Sequence, residues 1–245
     1  MKKILITGGP TNEYIDEVMK ITNMSTGSLS TALGGHFSDA GYGVCLILNN
    51  SVHAEKLEER ENVEILRCET TLEMMDQIKK ASEKDTFDFV IHAAAVGDYT
   101  GEFSFLLEDM AEEIYSKLGQ IRSAADILAI MENPDCKLRD DTKISSYQKN
   151  LTAKLALTPK IIARLREWFP EAVLIGCKLL ENVPKEELYS VAQHLAEKNN
   201  MDYILANDLA DLRKGLPARH LVTKDGFTGT HLEEPKDIFE FVNSL

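Results

Sequence analysis

Lys178 is the residue whose place in this sequence most needs a chemical reason. It closes the apolar run Ala172 to Lys178. A lysine at the end of a buried strand is costly unless its head reaches an anion or water. Thr158-Pro159 reads as a helix cap followed by proline at the first helical position. The N–H groups freed at such a helix start suit a phosphate, although in isolation the pair reads by default as a plain cap. Lys143 stands in Thr142-Lys143-Ile144-Ser145-Ser146 and reads alone as a solvated lysine, with Asp140 and Asp141 as ready ion partners. Asn23, in the polar stretch between Gly9 and Gly27, reads alone as a turn residue. The net charge of −13 repels nucleic acid. An anionic ligand therefore has to be held by local devices: backbone N–H groups, helix starts and a few placed lysines, with a metal ion as help.

These residues must be positioned by strands and helices in alternation. Lys3 to Thr7 reads as a first strand ending in Gly8-Gly9, followed by about fifteen polar residues. Ser25 or Thr26 then caps a helix whose stripe is Leu29, Ala32, Leu33 and Phe37, ending at Gly41. Val44 to Leu48 and Val63 to Leu66 read as buried strands. Thr71 to Lys84 reads as a helix with Leu72, Met75 and Ile78 inward, and Phe87 to Ala95 as the next strand. This alternation predicts βαβ units and a parallel sheet. Residues 100 to 141 break the rhythm without a buried strand and read as a flap, about 100–150 with its closing loop. Leu151, Ala153, Leu155 and Leu157 alternate as an edge strand. A helix from Pro159 to about Trp168, a strand Ala172 to Lys178, a helix from Pro184 to about Lys198 and a strand Asp202 to Ala206 follow. Arg219 to Val222 and Phe227 to His231 form a hairpin around Lys224-Asp225-Gly226, and Pro235 opens the last helix. The expectation is α/β: a three-layer Rossmann-like parallel sheet with an added β-hairpin and flap, one domain over 1–245.

In such sheets ligands bind beyond the carboxyl ends of the strands. Here those ends are Gly8 to Thr11, Ala94 to Asp98, Lys178 to Glu181 and Asn207-Asp208. Several chemistries are disfavoured. G-x-G-x-x-G is absent, as are a Y-x-x-x-K pair and a P-loop, which weakens a nicotinamide-dependent reductase. Cys45, Cys68, Cys136 and Cys177 show no C-x-x-C spacing and read as reduced thiols of a cytoplasmic protein. The six histidines lack zinc-site spacing. No apolar run approaches the roughly 20 residues of a membrane span, and the start carries no export-signal core.

Taken together the segments resemble phosphopantothenate–cysteine ligase in its standalone bacterial form. The resemblance rests on Gly9-Pro10-Thr11-x-Glu13-x-Ile15-Asp16, Ile21-Thr22-Asn23-x-Ser25-Thr26-Gly27 and Ala93-Ala94-Ala95-Val96-x-Asp98-Tyr99. It continues in Lys143-Ile144-Ser145-Ser146, Leu157-x-Pro159-x-Ile161-Ile162, Lys178-Leu179 and Ala206-Asn207-Asp208. With no decarboxylase-like segment ahead of it, the chain reads as the separate ligase. The family reaction joins 4′-phosphopantothenate to L-cysteine through an acyl-nucleotide, commonly from CTP, with ATP as the alternative and Mg2+ assisting. The resemblance implies Asn23 as donor to the acyl-nucleotide and Lys143 as the flap lysine over the phosphates. It implies a nucleotide wall of His92, Ala93, Ala94, Pro159, Lys160, Ile161 and Ile162, with Cys177, Lys178 and Lys198 nearby. Asp98 is implied as a nucleotide- or metal-side carboxylate. Gly9, Thr11, Ser25, Thr26, Gly27 and Asn207 are implied around the substrate, and the assembly as a homodimer. The chain departs from the family at Met19, usually arginine, at Ser28 and Ser30, usually a basic residue plus glycine, and at Cys177, commonly phenylalanine. A non-catalytic nucleotide-binding descendant is the remaining alternative.

Overall fold

The computed structural model describes residues 1–138, 144–145, 147–216 and 219–245. The apolar run after the first lysines forms β1 (Lys3–Gly8), buried along nearly its whole length. The polar stretch that follows is not loop throughout. β2 (Asn12–Tyr14) and β3 (Lys20–Thr22) pair antiparallel, Asn12 opposite Thr22 and Tyr14 opposite Lys20. Asp16 shapes the turn between them: its buried carboxylate accepts from the N–H groups of Val18 (2.7 Å), Met19 (2.6 Å) and Ile144 (3.0 Å). Three-residue strands rich in polar side chains carry no alternation that a sequence pattern could register.

Next comes α1 (Ser28–Asp39), which starts after Gly27 rather than at Ser25 or Thr26; no side chain caps it. β4 (Gly43–Asn49), the short α2 (Glu55–Glu58), β5 (Val63–Cys68) and α3 (Thr71–Lys84) follow. The inward face of α3 is Thr71, Met74, Ile78 and Ala81, whereas Leu72 is 62% exposed, so the expected Leu72–Met75–Ile78 stripe is rotated. The cause is polar. Thr71 Oγ1 bonds Thr11 Oγ1 at 2.9 Å in a buried setting, which fixes that side of the first turn inward.

The chain continues through β6 (Phe89–His92), β7 (Tyr99–Leu106), α4 (Leu107–Ser116), α5 (Ala124–Glu132) and β8 (Leu151–Leu157). The region expected to lack a buried strand therefore contains one: β7 pairs antiparallel with β8 and buries Phe103, Ser104 and Phe105. The helix expected from Pro159 is also corrected. A 3-10 turn, Ile161–Arg164, leads into α6 (Leu165–Trp168), a single turn. Thr158 does not cap it; the Thr158 hydroxyl is donated to Gly97 O and its N–H to Asp98 O. The last elements are β9 (Val173–Leu180), α7 (Lys185–Asn199), β10 (Tyr203–Asp208), α8 (Leu209–Arg213), β11 (Arg219–Thr223), β12 (Gly226–Leu232) and α9 (Pro235–Asn243).

Where the sequence reads as one domain carrying a flap, the contacts divide it into two units. The larger comprises Met1–Thr11, Asn23–Val96 and Pro159–Leu245. Its eight-stranded sheet runs β12-β11-β10-β9-β6-β1-β4-β5, parallel from β5 to β10, with the β11–β12 hairpin added antiparallel. Successive residues of β1 serve opposite faces: Ile4 and Ile6 join the core beneath α1 and α9, Leu5 the core beneath α3, α6 and α7. This is the expected three-layer architecture. Its parallel strands have the doubly wound order, with the reversal between β1 and β6. The smaller unit, Asn12–Thr22 and Gly97–Thr158, holds the β2–β3 hairpin, the β7–β8 ribbon, α4 and α5, packed on Phe103, Phe105 and Met110.

Candidate functional site

At the reversal between β1 and β6 the two strand ends remain joined past their last ladder bonds. Ala95 N–H donates to Gly9 O at 2.8 Å and Thr11 N–H to Ala95 O at 3.3 Å, with Pro10 and Ala95 bridged in parallel. Asn23 adds to this seam. Its Nδ2 donates to Ala95 O at 3.1 Å and to Val96 O at 3.0 Å. Two carbonyl acceptors identify the nitrogen without ambiguity and use both amide hydrogens. Gly9 and Gly27 meet on the other side of the seam, both at positive φ (82° and 72°) and both against Val52. The turn made by Ser25, Thr26 and Gly27 is polar and local: Ser25 N–H donates to Asn23 O, and Thr26 Oγ1 to Ser28 Oγ at 3.2 Å. Gly9, Thr11, Asn23, Ala93 and Ala94 are thus assembled by the strand reversal itself.

The wall beside them comes from β9. His92 stands in register with Gly176, and a Cβ on Gly176 would lie 3.1 Å from Ile162 Cδ1. The missing side chain lets Ile162 close onto the sheet next to His92, with Ile161 buried beneath and Pro159 and Lys160 exposed ahead of it. Lys178 is half-buried on the same face, in register with Ala206 of the core under α7. Its ammonium group makes no hydrogen bond or ion pair with any described residue. Cys177 points to the opposite face and packs with the core under α1 and α9; burial pushes its thiol up to about 11. Asn207, two residues beyond Leu205, which pairs with Cys177, shares that face. Adjacent strand residues alternate, so Cys177 and Lys178 do not line one wall. Lys198 is not brought to this end at all. It sits at the last turn of α7, which starts after the carboxyl end of β9 and ends before the amino end of β10. Fifteen residues at about 1.5 Å each carry it across the sheet. Asp98 lies exposed in the smaller unit, and Lys143 lies outside the described residues.

His92 is 7% exposed, and burial lowers it from 6.5 to about 4. Because the folded form refuses a proton that the unfolded chain accepts, His92 opposes folding increasingly as pH falls from 6.5 towards 4. The expected loss from this residue between pH 7 and pH 5 is about 2 kcal/mol. Urea unfolding of the protein and of His92→Phe at both pH values measures it; an unchanged difference between the two would refute it.

No group of three or more His, Cys, Asp or Glu gathers to hold an ion among the described residues. No helix among them is long and apolar enough to cross a membrane. Residues 1–135 match the model of the DNA/pantothenate metabolism flavoprotein C-terminal domain, more than half of the chain. The chain belongs to that family. Among similar proteins is a coenzyme A biosynthesis bifunctional protein CoaBC of Thermococcus kodakarensis, 30% identical over 208 residues, covering 85% of this chain and 41% of that protein. The counterpart of the same name in Methanocaldococcus jannaschii is 29% identical, with the same 85% and 41% coverage. The chain spans well under half the length of these relatives. The DNA/pantothenate metabolism flavoprotein of Streptococcus pneumoniae has a crystal structure that superposes with a TM-score of 0.78 at 29% identity, covering 100% of this chain and 97% of that one.

Two residues of this family member, Ser30 and Asp208, have structural roles that the sequence did not reveal. Ser30 donates to Thr7 O at 2.9 Å and fits against β1 because Gly8 has no side chain. At this departure from the family pattern, the hydroxyl serves strand–helix packing. Asp208 is buried and accepts from Asn182 N–H (3.0 Å), Val183 N–H (3.0 Å) and Ala210 N–H (2.7 Å). The bonds from Val183 and Asn182 hold its carboxyl down to about 2 and fix the loop after β9 beside Asn207. An aspartate directly after a buried strand was the available signal for such a cap.

Proposed function

We propose that this chain joins 4′-phosphopantothenate to L-cysteine, the ligase step of coenzyme A biosynthesis. The observation that carries this reading is the seam at the β1–β6 reversal. There the family's Gly9-Pro10-Thr11, Asn23 and Ala93-Ala94-Ala95 segments converge on one strand junction. Membership of a pantothenate-metabolism domain family and similarity to coenzyme A biosynthesis proteins support it. In the first half-reaction the carboxylate of phosphopantothenate attacks the α-phosphorus of a nucleoside triphosphate, CTP in preference to ATP, and pyrophosphate leaves. In the second the amine of cysteine attacks the acyl carbon and the nucleoside monophosphate leaves. Half-buried Lys178, with no described partner, is suited to offset the added negative charge. Exposed Asp98 suits a magnesium ion that keeps most of its waters and arrives on the triphosphate, where it would neutralise phosphate charge. Lys143 is assigned to the triphosphate. Lys143→Gln is expected to suppress phosphopantothenate-dependent pyrophosphate release by at least about tenfold; wild-type release in a stopped-flow assay would remove it from the mechanism.

The homodimer belongs to the same proposal. Tyr99, Leu151, Leu155 and Leu157 expose apolar surface on the β7–β8 ribbon, each residue being between 37% and 71% exposed. Sedimentation should give a dimer that Leu157→Glu weakens; a monomer at tens of micromolar would exclude it. The reaction itself is tested by supplying phosphopantothenate, cysteine, magnesium and either CTP or ATP. Pyrophosphate release that requires phosphopantothenate, and product that requires cysteine, is the expected result. Nucleotide binding without turnover would leave the non-catalytic descendant instead.

A further inference from the structure

Three facts about His92 go beyond the backbone role implied for it. Thr7 is fully buried, and its hydroxyl has two contacts: Ala94 N–H donates to it at 3.2 Å, and His92 Nδ1 lies 2.8 Å away. The hydroxyl hydrogen needs an acceptor, and Nδ1 is the one in reach. A buried hydroxyl left without one would cost more than the bond it makes. Nδ1 therefore accepts, and the neutral ring carries its proton on Nε2. That Nε2–H has no hydrogen-bond partner among the described residues. It is also not among their fully enclosed orphan atoms, which leaves it a small opening. It is the ring nitrogen not engaged with Thr7, and on the β9 side of the strand His92 stands in register with Gly176, which presents no side chain and against which Ile162 closes.

We propose that the His92 side chain is a base-recognising residue of the nucleotide site, its Nε2–H donating to a neutral acceptor, a carbonyl oxygen or ring nitrogen, on the nucleobase. This rests on the nucleotide-dependent reading above and adds a side chain to it. A neutral acceptor fits because Gly176 and Ile162 are apolar and no cation among the described residues is bonded to or stacked on the ring. The arrangement also explains the buried Thr7 hydroxyl, which selects the tautomer with the proton facing the opening.

The test uses the full chain with magnesium and three probes: CTP, ATP and inorganic triphosphate. His92→Phe should weaken the better-bound nucleotide about tenfold, the size of one lost hydrogen bond. It should leave inorganic triphosphate affinity unchanged. His92→Gln, which keeps an N–H donor, should recover most of the loss. Nucleotide affinity unaltered in folded His92→Phe, or an equal loss for inorganic triphosphate, overturns the assignment while leaving the ligase reading intact. Nitrogen-15 spectra of the unsubstituted protein provide a check independent of variant folding. The free ring should be the Nε2–H tautomer, and its signals should move with nucleotide but not with inorganic triphosphate; an Nδ1–H ring or no movement refutes the proposal. Failure of the unsubstituted protein to bind either nucleotide would overturn both readings together.

Discussion

Asn23→Asp is expected, under the proposed ligase reaction, to lower phosphopantothenoylcysteine formation by about 10²–10³-fold while pyrophosphate release persists, so that the acyl-nucleotide accumulates. The amide gives both hydrogens to Ala95 O and Val96 O in the structure. To donate to a developing acyl oxygen it has to exchange one carbonyl for the ligand, a neutral swap that leaves no charge stranded. A carboxylate offers no hydrogen to either carbonyl and places negative charge where negative charge must form. Asn23 is exposed, so the two lost bonds cost about 1 kcal/mol each at most, and the variant should remain folded. Rapid-quench separation of the two half-reactions measures the effect. If both fall in proportion, Asn23 serves as the clamp between the Asn23–Gly27 loop and β6 and has no separate part in the second step.

The second large effect is on stability. Gly27→Ala is expected to cost about 3 kcal/mol and to lower the melting temperature by about 6–12 °C for a chain of this size. Part of the cost is the left-handed backbone at φ 72°. The rest is collision: a Cβ there would lie 2.7 Å from both methyls of Val52. Val52→Ala in the same chain should return the collision part but not the backbone part. A double-mutant cycle on calorimetric melts tests this, and strict additivity of the two substitutions would show that Val52 is not what limits the position. Gly9 is held against the same Val52, so the damage should reach the β1–β6 seam and, under the proposed reaction, raise KM for phosphopantothenate even at temperatures where the variant is folded.

Much of the architecture was readable because it is written in short-range patterns. Val44 to Leu48 is buried on both faces and reads as a parallel strand; Lys224-Asp225-Gly226 between two alternating runs reads as a hairpin turn. The family motifs placed Gly9, Asn23 and Ala93 in one list. Cys177 and Lys178 are neighbours in a strand and must face opposite ways, which strand alternation alone dictates. Other outcomes depended on partners far along the chain. The rotation of α3 follows from Thr11 meeting Thr71, sixty residues away, and the Asp16 carboxylate at the β2–β3 turn takes its third donor from distant Ile144.

By itself, then, the sequence determined the βαβ alternation, the added hairpin, the acidic surface and the family motifs, because composition and spacing of two or three to four residues encode them. Tertiary structure decided which strand ends adjoin. It brought the β1 end to the β6 end, paired His92 with Gly176, and let α7 carry Lys198 to the far end of the sheet. It also decided the chemistry of two polar groups that look ordinary in sequence. Asn23 has both amide hydrogens committed, and burial beside the Thr7 hydroxyl keeps His92 neutral. Such properties depend on which acceptor is in reach and how much water remains, and both are set by packing between distant segments.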